Sequence, residues 1–141
     1  MFILDTNVVS ELRKAKSGKA DANVMAWAAA QDPAALFLSA ITLLELEMGV
    51  RRAERRDSAQ GAALRAWMTG KVLPAFERRV LAIDGPVALC CASLHVPDPR
   101  SDRDALIAAT GIVHSMPVVT RNVADFEGTG VRIINPWDDQ S

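Results

Sequence analysis

The sequence predicts an α/β protein with a central parallel sheet. Short apolar runs alternate with longer helical segments, and glycine and proline residues mark the boundaries between them. No repeat, low-complexity tract or linker divides the 141 residues, a length that suits one domain with its own core. Strands that alternate with helices favour a parallel sheet covered on both faces. We therefore expect a single domain over residues 1–141.

The order of the elements follows from the apolar runs and the turn residues. Residues 1–4 form a short apolar run that suits a buried strand, and a helix begins directly after them. Pro86 suits the first turn of a later helix, whereas Gly70 and Pro74 weaken and end an earlier one. The other predicted elements are, in order, a helix over 23–31, a strand over 35–40, helices over 41–56 and 58–76, a strand over 79–83, helices over 85–96 and 102–116, and strands over 117–120 and 131–137.

Composition excludes several classes of protein. Half of the residues are apolar, 23% are charged and the formal net charge is −1, which is typical of a soluble globular protein. Binding to nucleic acid would therefore need a local basic patch. Neither a signal peptide nor a membrane span is indicated, because Asp5 and Glu11 interrupt the N-terminal segment and the longest uncharged stretch, residues 105–120, is too short. We expect a cytoplasmic protein, with Cys90 and Cys91 packed in a helix and not paired.

Asp5 is the first candidate functional residue, because it lies where the first strand ends and the next helix begins. The carboxyl ends of strands border the crevice in which α/β proteins bind ligands, so an acid there can take part in chemistry. The alternative is that Asp5 only caps the helix, accepting a hydrogen bond from a free backbone N–H group. One aspartate does not decide between the two interpretations.

Glu45 is the second candidate, on the predicted helix over 41–56. Glu47 has Arg51 four residues further on and is explained by an exposed ion pair. Glu45 has no such partner, and a carboxylate among apolar residues is costly unless it is paired or bound to a cation. Its neighbours three and four positions away are Ile41, Thr42, Met48 and Gly49.

Two later segments carry acids at the start of a helix and after a strand. Asp104 follows Ser101 by three residues, which resembles a capping box, yet it would also stand at the crevice end of an apolar helix. Thr120 ends an apolar strand, and Asn122 with Asp125 forms either another cap or further oxygen ligands. Each cap is ordinary alone, but four strand or helix ends that carry an acid, in one chain of this size, suggest that the acids converge.

Converging carboxylates without histidine or cysteine at metal-ligand spacing favour a hard cation, Mg²⁺ or Mn²⁺. His95 and His114 stand alone in apolar helices and are interpreted as structural residues. Carboxylates that are crowded together raise some of their pKa values and destabilise the site until a cation binds. The sequence therefore predicts a metal-dependent site built from oxygen ligands.

Five segments, taken in order, resemble the PIN-domain family, and within it the VapC and FitB-like toxins of bacterial toxin–antitoxin pairs. They read LDTNVVSE, LSAITLLELEMGV, DALIAATG, VVTRNVADF and INPW, and they span essentially the whole chain. The resemblance implies a PIN-like α/β/α sandwich with a central parallel sheet. It also implies an endoribonuclease that depends on Mg²⁺ or Mn²⁺.

The resemblance assigns roles to individual residues. Asp5, Glu45 and Asp104 match the three acids that hold metal, and the fourth catalytic position is filled by Asn122 or Asp125. The amide of Asn122 brings no charge, and three carboxylates do not easily hold two divalent cations. We therefore expect one tightly held ion and a second that arrives with the scissile phosphate. The metal would orient and acidify a water, and Asp5 or Asp104 would accept its proton. The matching support positions are Thr6, Asn7 and Thr120.

The expected partners are an RNA substrate and a cognate antitoxin similar to VapB or FitA. In relatives the antitoxin wraps the toxin and often sends an arginine or lysine into the acidic pocket. Relatives also dimerise, so a homodimer and a toxin–antitoxin hetero-oligomer are expected. Candidate interface residues are Trp27, Trp67 and Leu36, although tryptophan in a helix is often core.

RNA affinity would come mainly from phosphate contacts, which need local cations. The candidate RNA-binding residues are Arg51, Arg52, Arg103 and Arg121, whose alternative interpretation is a solvated helix face and loop. A second class of function stays open: a binding module that acts in a toxin–antitoxin complex on promoter DNA, with little nuclease activity. Asn122 and the near-neutral charge favour that alternative. The RNA target is decided by loops and shape and is not predicted.

Overall fold

The computed structural model describes residues 1–139 and contains one sheet there, in which every neighbouring pair of strands is parallel. Its strands are β1 (Phe2–Leu4), β2 (Leu36–Ser39), β3 (Val80–Leu81), β4 (Val118–Val119) and β5 (Ile133–Ile134). They lie in the order β3-β2-β1-β4-β5, which places the first strand of the chain at the centre. The predicted parallel sheet is confirmed.

Helices connect the strands and cover the sheet. They are α1 (Thr6–Arg13), α2 (Ala22–Ala29), α3 (Ala40–Arg56), α4 (Ser58–Trp67), α5 (Leu73–Ala75), α6 (Gly85–Leu94), α7 (Asp102–His114) and α8 (Val123–Phe126). Two 3₁₀ turns span Lys14–Ser17 and Pro33–Ala35, and a π-helical turn over Met68–Val72 joins α4 to α5. Of the helices found within residues 1–139, none is long and apolar enough to cross a membrane.

Polar residues fix where the longer helices begin. In each case a side-chain oxygen just before the helix accepts a hydrogen bond from a backbone N–H group of the first turn. The capping residues are Asp5, Asp21, Ser39, Asp57 and Asp84. Four of these five caps follow a strand or a turn, so the local sequence explains the sharp passage from one element to the next.

The alternation of side chains along β1 divides the core into two layers. Leu4 packs with Val8 of α1 on one face, in a cluster that also takes in α2 and α3. Ile3 points to the other face and packs with Ile107 of α7. Helix α6 lies against α7, where Cys91 is buried as a free thiol. The expected α/β/α sandwich is confirmed.

Helices α3 and α4 form a hairpin that charged side chains hold together. Arg65 donates from Nη1 and Nη2 to the two carboxylate oxygens of Glu47, at 2.8 and 2.9 Å, and from Nη2 to Glu54 at 3.0 Å. The predicted pair of Glu47 with Arg51 is confirmed, with 2.6 Å between Nε and Oε2. Gly61 lies where the two helices touch, because a Cβ there would be 2.4 Å from the Cα of Glu54.

Glu47 is expected to stabilise this hairpin in a pH-dependent way. Hydrogen bonds from Arg65 hold its pKa at about 2, below its ordinary value of 4.5. An acid whose pKa is lowered in the folded state adds stability above its unfolded pKa, and this stability is lost as the pH falls through the folded pKa. Glu47→Gln is therefore expected to lower the melting temperature at pH 7 by a few degrees and to have a smaller effect at pH 3, as measured by circular dichroism.

The matched control is Glu77→Gln, at an exposed position that follows α5. We expect it to change the melting temperature little at either pH. A loss for Glu47→Gln that is equally large at pH 7 and pH 3 would contradict the ion-pair explanation.

The strands are shorter than the sequence predicts. The strand expected over 79–83 is only Val80–Leu81, because a turn precedes it, in which Arg79 N donates to the Phe76 carbonyl at 2.8 Å. It ends early because its partner β2 passes into α3 after Ser39. The strands expected over 35–40, 117–120 and 131–137 are Leu36–Ser39, Val118–Val119 and Ile133–Ile134.

Several helix predictions also change. The helix expected over 58–76 contains the π-helical turn, and it ends at Ala75, next to Pro74 as expected, with Pro74 itself in the short α5. The helix expected over 102–116 ends at His114, because Ser115 adopts the left-handed conformation with φ of 55°. Those expected over 23–31 and 85–96 end at Ala29 and Leu94.

Trp27 is a core residue and the interpretation of it as an interface residue is wrong. Its side chain is buried and packs edge-on against Phe2, with 5.2 Å between the ring centroids. Leu36 and Trp67, the other two candidates, are partly buried and pack against the same core cluster.

Candidate active site

The site lies where the strand order reverses. The chain runs outward from β1 to β2 and β3, and then returns to β4 on the other side of β1. Such a reversal opens a crevice at the carboxyl ends of the strands, which is where open parallel sheets bind ligands. Leu4 pairs with Val119 across β1 and β4, so the next residues of the two strands, Asp5 and Thr120, stand side by side at this crevice.

Asp5 has both of its carboxylate oxygens engaged. Oδ1 accepts from the backbone N–H of Thr6 at 2.8 Å, so the helix-cap interpretation is right for this oxygen. Oδ2 accepts from Thr120 Oγ1 at 2.7 Å and from Asn7 Nδ2 at 3.1 Å. Burial nevertheless raises the pKa of Asp5 above its ordinary value; the three hydrogen bonds lower it, and Glu45 adds to the rise. A buried carboxylate held by three donors is more than a helix cap.

Thr120 is the centre of a rigid polar frame around Asp5. Its side chain is fully buried, and its hydroxyl also accepts from Asn7 Nδ2 at 3.2 Å and from the backbone N–H of Asn122 at 3.0 Å. Asn7 Oδ1 in turn accepts from the backbone N–H of Arg121 at 3.1 Å. The loop after β4 is thereby tied to the start of α1. The predicted support positions therefore all contact Asp5 or each other.

Glu45 lies in the second turn of α3, and its negative charge acts on Asp5. Its Oε1 accepts from Thr6 Oγ1 at 2.8 Å, and its Oε2 lies 3.6 Å from Arg103 Nη1. The sequence correctly indicated that this acid needs a partner that its own helix does not supply. Both partners come from other helices, α1 and α7, so the spacing of residues along α3 could not identify them.

Asp104 shows that four acids share one electrostatic environment. Burial, followed by the negative charges of Asp125, Asp5 and Glu45, raises its pKa to about 6 from the ordinary value of 3.8. A hydrogen bond with the Ser101 side chain opposes the rise. Ser101 precedes α7 but makes no side-chain cap hydrogen bond, so that half of the predicted capping box is wrong.

The fourth position has two neighbouring candidates before and within α8. Asn122 precedes the helix, and its side chain makes no cap hydrogen bond, whereas Asp125 lies in its first turn. Both residues are exposed. Among the charges that raise the pKa of Asp104, Asp125 has the largest effect. Of the two candidates, Asp125 is therefore the one that adds negative charge near Asp104.

The donor set suits a hard divalent cation. The four acids offer only oxygen atoms, which Mg²⁺ and Mn²⁺ prefer. Burial is the main cause of the raised pKa values of Asp5 and Asp104, and a cation would offset the neighbouring negative charges that add to the rise. Within residues 1–139, no three acidic, histidine or cysteine side chains converge closely enough to hold one ion together. Glu45 is instead held by Thr6 and Arg103.

The arginines divide into two groups. Arg103 contacts Glu45, and Arg121 follows Thr120 with its guanidinium stacked on Trp137, 5.3 Å from the ring centroid. Arg51 and Arg52 lie further along α3, and Arg51 is paired with Glu47 on the side of α4. Only Arg103 and Arg121 of the four predicted cations therefore have a contact with the residues around Asp5 and Glu45.

Arg13 is a cation near the site that sequence reasoning missed. It lines a groove of about 240 Å³ together with Thr6 and Glu45, and it stacks on Trp67 with 5.9 Å to the ring centroid. Its position seven residues after Thr6, two turns along α1, is the signal that places both side chains on one helix face. A larger groove of about 540 Å³ continues from Arg13 and Trp67 towards Lys16 and Lys71.

Comparison with known proteins agrees with this geometry. The PIN domain family profile matches residues 2–129. The chain is 40% identical to VapC ribonuclease Y4jK of Sinorhizobium fredii, over 98% of this chain and 99% of that protein. It is 33% identical to toxin FitB of Neisseria gonorrhoeae, over 99% and 100% of the two chains. The solved structure of FitAB bound to an IR36 DNA fragment matches with a TM-score of 0.85 and 32% identity, over 100% of this chain and 99% of that one.

Proposed function

This chain belongs to the PIN-domain family, and on that premise we propose that it is a toxin of a type II toxin–antitoxin pair that cleaves RNA phosphodiester bonds in the cytoplasm with the help of Mg²⁺ or Mn²⁺. The observation that carries the proposal is that four acids lie close enough at the crevice to act on one another: burial, followed by the negative charges of Asp125, Asp5 and Glu45, raises the pKa of Asp104 to about 6. The names of the two relatives, a VapC ribonuclease and a toxin, support the same activity and class.

Asp5, Glu45 and Asp104 are the residues that we assign to hold the metal, with Asp125 as the fourth catalytic acid. When bound, a divalent cation supplies Lewis-acid activation of water and stabilisation of the leaving oxygen. The oxygens of Asp5 are already occupied by Thr6, Asn7 and Thr120 as donors. This network fixes the carboxylate so that it needs no rearrangement during the reaction.

Asp104 is the better proton acceptor of the two acids that the sequence left as alternatives. It is less fully engaged than Asp5, with one side-chain hydrogen bond, to Ser101, so one of its carboxylate oxygens can hold the cation while the other accepts the proton. Asp5 is held by three donors and is buried. Arg103 and Arg121 border the acids and are assigned to bind the phosphates on either side of the scissile bond.

The proposed partner is a cognate antitoxin, in a hetero-oligomer that also contains a homodimer of this chain. Support comes from the solved FitAB structure, which this chain matches over its whole length and which is bound to DNA. A basic side chain of the antitoxin inserted among Asp5, Glu45 and Asp104 would compete with the metal for the same oxygens. We therefore expect the complex to cleave RNA poorly until the antitoxin is removed.

The experiment that tests the function is cleavage of a panel of structured RNAs by antitoxin-free protein, with Mg²⁺, Mn²⁺ or EDTA. Discrete products that require the cation are expected, and their ends would identify the target. Folded protein that binds Mn²⁺ but cleaves nothing in a broad panel would contradict the nuclease. A gel shift on promoter DNA, with and without the antitoxin, would then test the binding-module alternative.

Thr120 gives a prediction about the pH dependence of cleavage. Its hydrogen bond lowers the pKa of Asp5, so Thr120→Val is expected to raise that pKa further. Because a higher pKa leaves less carboxylate at a given pH, the acidic limb of the pH–rate profile should move to higher pH, and cleavage at pH 7 should fall by about tenfold. Thr120→Ser keeps the hydroxyl and should leave the acidic limb in place. A valine variant with an unshifted profile would contradict the role given to Thr120.

A further inference from the structure

Arg103 contacts the acid that the proposed function assigns to the metal. Its Nη1 lies 3.6 Å from Oε2 of Glu45, while Thr6 Oγ1 donates to Oε1 at 2.8 Å. Each oxygen of Glu45 thus has a partner from a different helix. Resting on the proposed function, we infer that Arg103 is a positioning residue that exchanges partners: it holds Glu45 when no cation is bound, and it turns to the RNA phosphate when Glu45 binds the cation.

The two contacts of Glu45 differ in what a cation does to them. Thr6 donates a single hydrogen bond from a neutral hydroxyl, and a carboxylate that ligates a metal can still accept it. Arg103 is a full positive charge beside the same carboxylate, so a divalent cation and the guanidinium compete for Oε2. Binding of the cation therefore leaves the Thr6 contact in place and frees Arg103.

Exposure allows Arg103 to move. Its side chain is 45% exposed and that of Glu45 is 25% exposed, so packing does not lock the guanidinium in place and it can leave once a cation takes the carboxylate. Arg103 belongs to the first turn of α7, directly before Asp104, so its backbone stays beside the crevice when the side chain leaves Glu45. A freed guanidinium offers five donors in a planar fork that matches a phosphate.

The arrangement of the acids agrees with this exchange. In the part of the chain that the structure describes, no three acidic, histidine or cysteine side chains gather around a common point. Glu45 is the acid with an arginine beside it, and release of that arginine is what would let Glu45 turn to a shared cation. The same exchange couples the two ligands, because Arg103 becomes available for phosphate only after Glu45 has a new partner.

The first part of the inference, that Arg103 holds Glu45 until a cation binds, is tested by titration with Mn²⁺ alone. Electron paramagnetic resonance measures the free ion. Arg103→Gln is expected to bind Mn²⁺ about fivefold more tightly than the natural chain, because the competitor is gone. Loss of any nearby positive charge also favours a cation, so the substitution is repeated in a Glu45→Gln background. There we expect Arg103→Gln to change the Mn²⁺ affinity less than twofold, because the pair with Glu45 is already absent. The two backgrounds form a double-mutant cycle that isolates the effect of this pair.

Arg132→Gln is the matched control, with the same change of charge directly before β5, at the edge of the sheet opposite the crevice. It should leave Mn²⁺ affinity unchanged. An equal gain from Arg103→Gln with Glu45 present or replaced would overturn the inference, since Arg103 would then act only through the general field. Failure of the natural chain to bind Mn²⁺ at millimolar concentration would instead count against the proposed metal-dependent function itself.

The second part of the inference, that the freed Arg103 binds RNA phosphate, is tested by fluorescence anisotropy. The probe is a single-stranded 2′-O-methyl RNA, which binds but resists cleavage. With Mn²⁺ present, Arg103→Gln should bind this RNA about fivefold more weakly, and Arg103→Lys should recover part of the loss. With EDTA, the natural chain and Arg103→Gln should bind it equally, because Arg103 is then held by Glu45. An equal loss of affinity in Mn²⁺ and in EDTA would overturn the exchange.

Discussion

Asp5→Asn is expected to lower RNA cleavage by about 1,000-fold or more while the protein stays folded. The substitution removes the charge of the acid at the centre of the site and keeps its shape. The amide oxygen can still accept from Thr6 N, whereas the amide nitrogen cannot accept the hydrogen bonds that Oδ2 now receives from Thr120 Oγ1 and Asn7 Nδ2. The measurement is the initial rate of cleavage of the RNA identified from the panel, under saturating Mg²⁺.

The stability of this variant should change much less than its activity. Burial raises the pKa of Asp5, so its charged form at neutral pH opposes folding. Asp5→Asn removes that charge but also loses the two hydrogen bonds that Oδ2 accepts, so the two effects oppose each other and we expect a melting temperature within a few degrees of that of the natural chain. Asp102→Asn is the control, because its side chain is 91% exposed on the same rim and has no assigned role. A variant at Asp5 that still cleaves RNA at more than a tenth of the natural rate would refute the proposed site.

Gly61→Ala is expected to have the largest effect on stability, a loss of about 3 kcal/mol. An added Cβ would lie 2.4 Å from the Cα and 2.7 Å from the backbone nitrogen of Glu54, and backbone atoms cannot move aside as a flexible side chain can. Helices α3 and α4 would have to separate, which would also lengthen the hydrogen bonds from Arg65 to Glu47. Chemical denaturation followed by circular dichroism measures the change.

Gly49→Ala provides the comparison within α3. A Cβ at Gly49 meets no atom within 4 Å, and alanine is the better helix former, so this variant should gain about 0.5–1 kcal/mol. The two variants make the same chemical change and should differ in sign. Similar stability for both would contradict the close packing described for the hairpin.

The sequence predicts the fold well where a signal is local. Alternating apolar runs correctly indicate the parallel sheet, and Asp5, directly after β1, correctly indicates the crevice. The ends of the strands were less predictable, because pairing stops where the neighbouring strand stops. Residues 82 and 83 have strand-like character, but β2 has already passed into α3 beside them. The sequence of those two residues does not indicate that their neighbouring strand has already ended.

Contacts between distant residues account for the remaining differences. Glu45 was recognised as an acid that needs a partner, yet Thr6 lies 39 residues before it in the chain, and Arg103 lies on another helix. Arg65 reaches Glu47 across 18 residues, and only the crossing of α3 and α4 brings them together. Arg51 and Arg52 carry the right charge for RNA, but the helix turns Arg51 towards Glu47. Three-dimensional packing, more than local preference, decides such roles.

The central position of β1 bears on how a cell can make this protein safely. Asp5 is synthesised before Thr120, which fixes its carboxylate and follows 115 residues later. A growing chain therefore contains Asp5 and Glu45 well before β4 can insert beside β1. We expect nascent chains to be harmless to the RNA of the ribosome that makes them, because cleavage must await the synthesis of β4 and Thr120.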